Sequence, residues 1–400
     1  MIGCNILLTG SRRLNRAGGL TGGQAVMKDR RMVMEKKIHY SNEGCSFKEN
    51  EGLNARITKK ILFNEKGDIG LDKKKMIGGN PTNLNDFNNV KYKWVSDIYR
   101  QMMNNFWIPE EINMSTDVQQ YRTLPVAERR AYDKILSFLV FLDSLQTNNV
   151  PFIAQYITAN EAVLCLTIQA FQEAVHSQSY SYMLDTICSP DERTEILYQW
   201  RDDEHLLARN KFIGDLFMAF QNDQSERNLM RVLVANYILE GIYFYSGFMF
   251  FYNLGRNGKM PGSVQEIRYI NRDENTHLWL FRNILSELQV ERPDLFSAEL
   301  VEEYRAMIKE GAEQEIAWGH YVLGDDIPGL TRQMVTDYIQ YLANLRAQNL
   351  GFAYIYPDNH SEPASMSWIS QYSDANMVKT DFFEAKSTAY AKSTAMIDDL

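Results

Sequence analysis

Residues 171–180 read FQEAVHSQSY. On an α-helix, where each residue turns by about 100°, Glu173, His176 and Tyr180 fall within one narrow sector and look at the same neighbours. The flanking sequence, ANEAVLCLTIQA before and SYMLDTI after, is largely apolar, so this face lies against other protein. A carboxylate and an imidazole turned inward need a partner there. The stretch therefore reads as a helix of a helical bundle with something bound in front of its inner face.

The same pairing recurs downstream. Glu274 and His277 stand three apart within EIRYINRDENTHLWLF. Among six histidines and many glutamates, a Glu-x-x-His pair arises easily by chance and is a weak signal alone. Two further acids in apolar surroundings strengthen it: Asp143 in FLVFLDSL and Glu240 in NYILEGIYFY, neither with a lysine or arginine one helical turn away. Buried acids are rare unless paired or bound to metal. Asp143, Glu173, Glu240 and Glu274 together carry the charge that balances two divalent cations, and His176 and His277 give each cation a nitrogen ligand. Dimetal carboxylate bundles of the ferritin-like kind use this set: one carboxylate from each of two helices and Glu-x-x-His from two others. His39, His205, His320 and His360 lack such a context and read as ordinary histidines.

Working outward, the chain from Lys91 is a succession of long segments of helical period, among them PVAERRAYDKILSFLVFLDSLQ, PDERTEILYQWRDDEHLLARNKFIGDLFMAF and SERNLMRVLVANYILEGIYFYSGFMFFYNLG. Ser189-Pro190-Asp191 and Ser225 read as helix starts, and Gly255, Gly324 and Gly351 as the glycines that follow helix ends. Strand-like alternation is scarce. The fold class is all-α, a ferritin-like bundle. Residues 1–85, rich in Gly, Asn and Lys without an apolar period, are expected to be a loosely ordered extension. Residues 86–355 form the dimetal domain, and 356–400 an irregular segment ending in a flexible tail.

Bulk properties narrow the partners. A net charge of −9 and a pI near 5.4 argue against nucleic acid and anionic membrane surfaces. Cys4, Cys45, Cys165 and Cys188 show no metal-finger spacing, and Cys165 reads as a reduced core thiol. The apolar runs fall short of the ~20 residues of a membrane span, and no cleavable signal region opens the sequence. The expected location is cytoplasmic.

The motifs FLDSLQ, AFQEAVHSQSY, LEGIYFYSGF and INRDENTHL, with NNFWIPEEI upstream, resemble the small, radical-generating subunit of class I ribonucleotide reductase, from about Lys91 to the C-terminus. The resemblance implies a homodimer whose dimetal site reacts with oxygen and oxidises a tyrosine to a stable radical. That oxidising equivalent then passes to a separate large catalytic subunit that makes deoxyribonucleotides. By motif match, Asp143, Glu173, His176, Glu240, Glu274 and His277 are the metal ligands and Tyr180 the radical tyrosine. Trp107 and Asp273 match the residues that begin the radical route with His176. Phe244, Ile267 and Ile270, one or two turns from their ligands, match the lining of the radical pocket. Tyr390, six residues after Glu384, matches a redox tyrosine ahead of a docking peptide in the C-terminal tail. Residues before about 85 match nothing in the family pattern.

The ligand set accepts Fe/Fe, Mn/Mn or Mn/Fe, and a tyrosine at position 180 leans to iron. A ferritin-like dimetal oxidase acting on its own organic substrate would share the ligands. It would, however, want an open pocket in place of a packed tyrosine and would have no use for a docking tail. A metal-storage bundle would likewise be all-α and acidic, and a radical signal separates the two.

Overall fold

The computed structural model describes residues 55–373. Its helices are α1 (Trp94–Asn104), α2 (Ser115–Tyr121), α3 (Val126–Ala154), α4 (Asn160–Ile187), α5 (Pro190–Tyr198), α6 (Glu204–Asn222), α7 (Glu226–Ile238), α8 (Tyr245–Arg256), α9 (Pro261–Glu291), α10 (Ala298–Val322), α11 (Arg332–Asn349) and the short α12 (Ser370–Ser373). Among the described residues only isolated β-bridges occur, and no strand.

Side-chain caps set several of the starts. Ser189 and Glu192 form a reciprocal capping box at α5, with Pro190 in the first turn, and Ser225, Ser297 and Thr331 each accept a backbone N–H from the first turn of their helices. The start of α9 is held from elsewhere in the fold: buried Asp117 of α2 accepts from Gly262 N at 2.9 Å and Ser263 N at 2.7 Å, satisfying two of the N–H groups a helix start leaves unpaired. At the other ends, Gly324 and Gly351 take left-handed conformations just past α10 and α11, as the sequence suggests. Gly255 does not. It lies inside α8, where a Cβ would come within 2.9 Å of Val264, so it permits close approach of α9. The left-handed glycine after α8 is Gly258.

The segment read as one helix from Ser225 to Gly255 is two helices joined by a π-helical turn, Leu239–Tyr243. As a single run, Glu226–Arg256 is long and apolar enough to cross a membrane, contrary to the estimate from shorter runs, but its most apolar window is wholly buried. The run belongs to the buried interior of the bundle. α3 and α4 pack along each other, α9 lies against α4, α7 and α8, and α10 closes over α7 and α8. The cluster helices are thus α3, α4, α9 and the α7–π–α8 rod, the ferritin-like arrangement.

Residues 55–85, expected to be loosely ordered, are irregular but partly anchored. Met76 and Ile77 are buried, Thr158 N donates to Met76 O at 2.8 Å, and Met76 N donates to Glu291 at the end of α9 at 2.8 Å. On the C-terminal side, buried Asn344 of α11 holds the irregular stretch after Gly351: its Oδ1 accepts from Ile355 N and Tyr356 N, and its Nδ2 donates to Tyr356 O and Asn359 O.

Candidate metal centre

Helical period delivers one or two polar groups from each cluster helix to a single point. Asp143 comes from α3, Glu173 and His176 from α4, Glu240 from the π-turn, and Glu274 and His277 from α9; all are buried. Their side-chain donor atoms form two overlapping groups, Asp143–Glu173–His176–Glu274 and Glu173–Glu240–Glu274–His277, each with its atoms within 4.8 Å of one another. Glu173 and Glu274 belong to both groups, an arrangement that could hold two adjacent cations.

The π-turn places Glu240. Such a turn breaks the regular carbonyl ladder, and two arginines from distant helices attend to it. Arg346 Nε of α11 donates to Gly241 O at 3.0 Å, and Arg209 of α6, paired with buried Glu315, donates to Tyr243 O. Burial of these guanidinium groups is offset by their carboxylate and carbonyl partners.

Both imidazoles turn Nδ1 into the cluster. His277 Nδ1 lies 2.8 Å from Glu274 Oε2 and 3.3 Å from Glu173 Oε1, and His176 Nδ1 lies 3.0 Å from Glu274 Oε1 without hydrogen-bond alignment. Their outer nitrogens are held from behind: His277 Nε2 by Gln172 Oε1 at 2.9 Å and His176 Nε2 by Asp273 Oδ2 at 3.3 Å. This is how metal-bound histidines are normally oriented.

The polar inventory fits cations. Both oxygens of Asp143, Glu173 Oε2, Glu240 Oε2, Glu274 Oε1 and His176 Nδ1 are buried with no hydrogen-bond partner, a density of orphaned groups that a folded interior does not tolerate without a ligand. Electrostatics agree. Burial, then the charges of Glu173 and Glu274, raise Asp143 well above the carboxylate range; burial and the same two neighbours raise Glu240. Burial would lower both imidazoles, yet the surrounding carboxylates, Glu274 foremost, raise them. Burial also pushes Glu274 up, but neighbouring Glu240 and the two histidines outweigh this and leave it below the usual range. With protons as the only positive charge, the cluster collects them; divalent cations displace protons from such ligands.

Tyr180 is 1 % exposed. Burial, then the charges of Asp143 and Glu274, hold its phenol proton far above the usual range. Phe244, Ile267 and Ile270 are buried in the same continuous apolar core as Tyr180. Trp107, in the loop after α1, donates its indole N–H to Asp273 Oδ2 at 2.8 Å, while Arg272 approaches Asp273 Oδ1 at 3.2 Å. Tyr390 and the rest of the C-terminal tail lie outside the described residues.

The sequence reading missed the amides. Gln146 and Gln169 both reach Glu240, and Gln172 holds His277. Each sits within one helical turn of a ligand, three after Asp143, four before Glu173 and one before it, a signal that polar residues inside an apolar helix do offer.

Comparison with known proteins follows the same line. Residues 84–363 match the family model described as ribonucleotide reductase, small chain. The chain is 73% identical over 344 residues to ribonucleoside-diphosphate reductase subunit beta of Treponema pallidum, covering 86% of this chain and 98% of that one. It is 41% identical over 320 residues to the subunit of the same name from Halalkalibacterium halodurans, covering 80% and 92% respectively. Among solved structures, the ribonucleotide reductase R2 subunit from Clostridium botulinum superposes with a TM-score of 0.77 at 51% identity, over 80% of this chain and 99% of that one.

Proposed function

The chain belongs to the ribonucleotide reductase small-chain family, and on that premise we propose that its buried cluster is a dimetal centre that serves Tyr180. The activity is that of the beta subunit of a ribonucleoside-diphosphate reductase, which works with a large subunit in reducing ribonucleotides to deoxyribonucleotides. The observation that carries the reading of the site is the pair of overlapping ligand groups sharing Glu173 and Glu274, with their orphaned oxygens.

Asp143 and His176 would hold one cation, Glu240 and His277 the other, with Glu173 and Glu274 between them. Four carboxylates neutralise two divalent ions, iron being the favoured metal over Mn/Mn or Mn/Fe. When bound, the metals supply reaction with oxygen and a strong one-electron oxidant. The protein's residues supply the rest. Tyr180 keeps its phenolic proton because burial and Asp143 disfavour the phenolate, so its oxidation releases electron and proton together. The apolar core around it, with Phe244, Ile267 and Ile270, excludes water and reductants. His176, Asp273 and Trp107 form a hydrogen-bonded line leading away from the cluster. The line would continue on the large subunit through Tyr390, carried by a C-terminal tail that docks there, in a protein that pairs as a homodimer.

The test is one preparation of metal-loaded protein, assayed for metal content and by electron paramagnetic resonance. Two metals per chain and a tyrosyl signal that disappears in Tyr180→Phe are expected. Two metals without any tyrosyl signal would remove the radical role and leave a metal-binding or oxidase bundle.

A further inference from the structure

Glu240 is held on one side by amides. Its Oε1 accepts from Gln146 Nε2 at 2.7 Å and from Gln169 Nε2 at 3.0 Å. Its Oε2 has no hydrogen-bond partner and lies 3.7 Å from His277 Nδ1. Gln169 Nε2 also lies 3.1 Å from Glu173 Oε1, so the two hydrogens of one amide tie two candidate ligands together. Behind Gln146 the file continues: Asn149 Nδ2 donates to Gln146 Oε1 at 3.0 Å and lies 3.3 Å from Asn236 Oδ1, and Asn236 Nδ2 donates to Val232 O at 2.6 Å. All these amides are buried.

Asp143, the terminal carboxylate at the other position, is different. Neither of its oxygens has a hydrogen-bond partner. The cluster is therefore asymmetric. At one end no amide holds the carboxylate, which lies toward Tyr180; at the other, one oxygen is occupied by two N–H donors. Neutral amides are costly to bury unless their hydrogen bonds are met, and from Asn149 the donors run through Gln146 toward Glu240, each bond strengthening the next. That file ends on Oε1. Rotating Glu240 to present both oxygens would break two buried bonds, leaving Gln146 Nε2 without an acceptor and Gln169 Nε2 with Glu173 alone.

We infer that Gln146 and Gln169 are positioning residues that fix Glu240 as a one-oxygen ligand through Oε2, with Asn149 and Asn236 keeping Gln146 in place. The inference rests on the dimetal reading above. It concerns how the second cation position is shaped, and it assigns a purpose to a polar file that the ligand set leaves unexplained. A carboxylate restricted to one oxygen would take up one position at that cation where two oxygens would take up two, and outer partners of this kind typically change metal affinity by about 10–100-fold.

Full-length metal-free protein titrated with Co(II) provides the test, because the visible absorption of Co(II) reports its coordination number without any turnover. Wild type is expected to take up two Co(II) per chain. Gln169→Met and Gln146→Met, which keep side-chain volume but lose the donor, are expected to bind the second equivalent about 10–100-fold more weakly. Their absorption should also weaken, as Glu240 becomes free to use both oxygens and coordination number rises. Asn149→Ala, which touches no ligand, should give the same spectral change in smaller measure and covers the case in which the Gln146 variant does not fold. Variants that bind both equivalents with wild-type affinity and an unaltered spectrum overturn the inference alone. Wild type that binds fewer than two Co(II) overturns the dimetal reading and the inference with it.

Discussion

Trp107 and Asp273 are joined by a 2.8 Å hydrogen bond from indole Nε1 to carboxylate Oδ2, and the same oxygen lies 3.3 Å from His176 Nε2. One carboxylate oxygen thus connects an aromatic ring in the loop after α1 to an imidazole of the cluster. Arg272, on the other oxygen, keeps that carboxylate from turning away. Trp107→Phe should therefore leave metal stoichiometry and the Tyr180 radical intact while nucleotide reduction with the large subunit falls to background. Elemental analysis, paramagnetic resonance and turnover on the same sample check this. Turnover near the wild-type level would show that the oxidising equivalent leaves by another route.

Tyr180→Phe removes a single buried hydroxyl, so the fold and the uptake of two metals should persist, with a melting temperature within a few degrees of wild type. The radical signal and the reductase activity should both vanish. Full activity in this variant would mean that the metal centre itself stores the oxidising equivalent.

Glu240→Ala should lower metal content from two per chain toward one. It takes away a proposed ligand of the second position and the acceptor shared by Gln146 and Gln169, at a cost of about 1–3 kcal/mol for a buried unsatisfied group. Retention of two metals per chain by elemental analysis would remove Glu240 from the ligand set.

The readability of this chain was uneven for physical reasons. Helices and several of their starts were plain, because capping is local: Ser189 meets Glu192 three residues on, and Ser225 meets Asn228. The acids of the cluster were plain because carboxylates in apolar runs contradict their surroundings. The π-turn was not, because what steadies it comes from Arg209 and Arg346, on helices before and after it in the chain. Glutamines are ordinary in helices, so Gln146, Gln169 and Gln172 became informative only once tertiary packing had set them against Glu240 and His277. Gly255 was misread as a helix end because a glycine that permits close helix packing looks in sequence like one that ends a helix.

Tyr390 and the residues after it should separate two tasks of the tail. Deleting residues 391–400 should weaken association with the large subunit and leave the Tyr180 radical unchanged, since the proposed docking segment contains none of the cluster residues. Tyr390→Phe should keep both association and radical yet stop turnover. Normal deoxyribonucleotide formation by that variant would assign the relay to another residue.

Glu266 offers a pH test away from the ligands. It is buried on α9 with neither carboxylate oxygen hydrogen-bonded. Burial raises its pKa to about 9; the Ser179 hydroxyl pulls it down, the charges of Glu110 and Asp117 push it up, and His176 opposes them. In the unfolded chain the same group titrates near 4.5. Between these values the folded state binds the extra proton, so the protonated acid's contribution to stability is complete below pH 4.5 and is lost as pH rises toward 9. Glu266→Gln cannot ionise and escapes this loss. Relative to the variant, wild type should lose stability by up to about 1.4 kcal/mol per pH unit across that window. Denaturant melts of both proteins at pH 5, 7 and 9 measure the difference. A gap that does not widen with pH would mean that Glu266 is ionised in the folded state and has a partner for its charge.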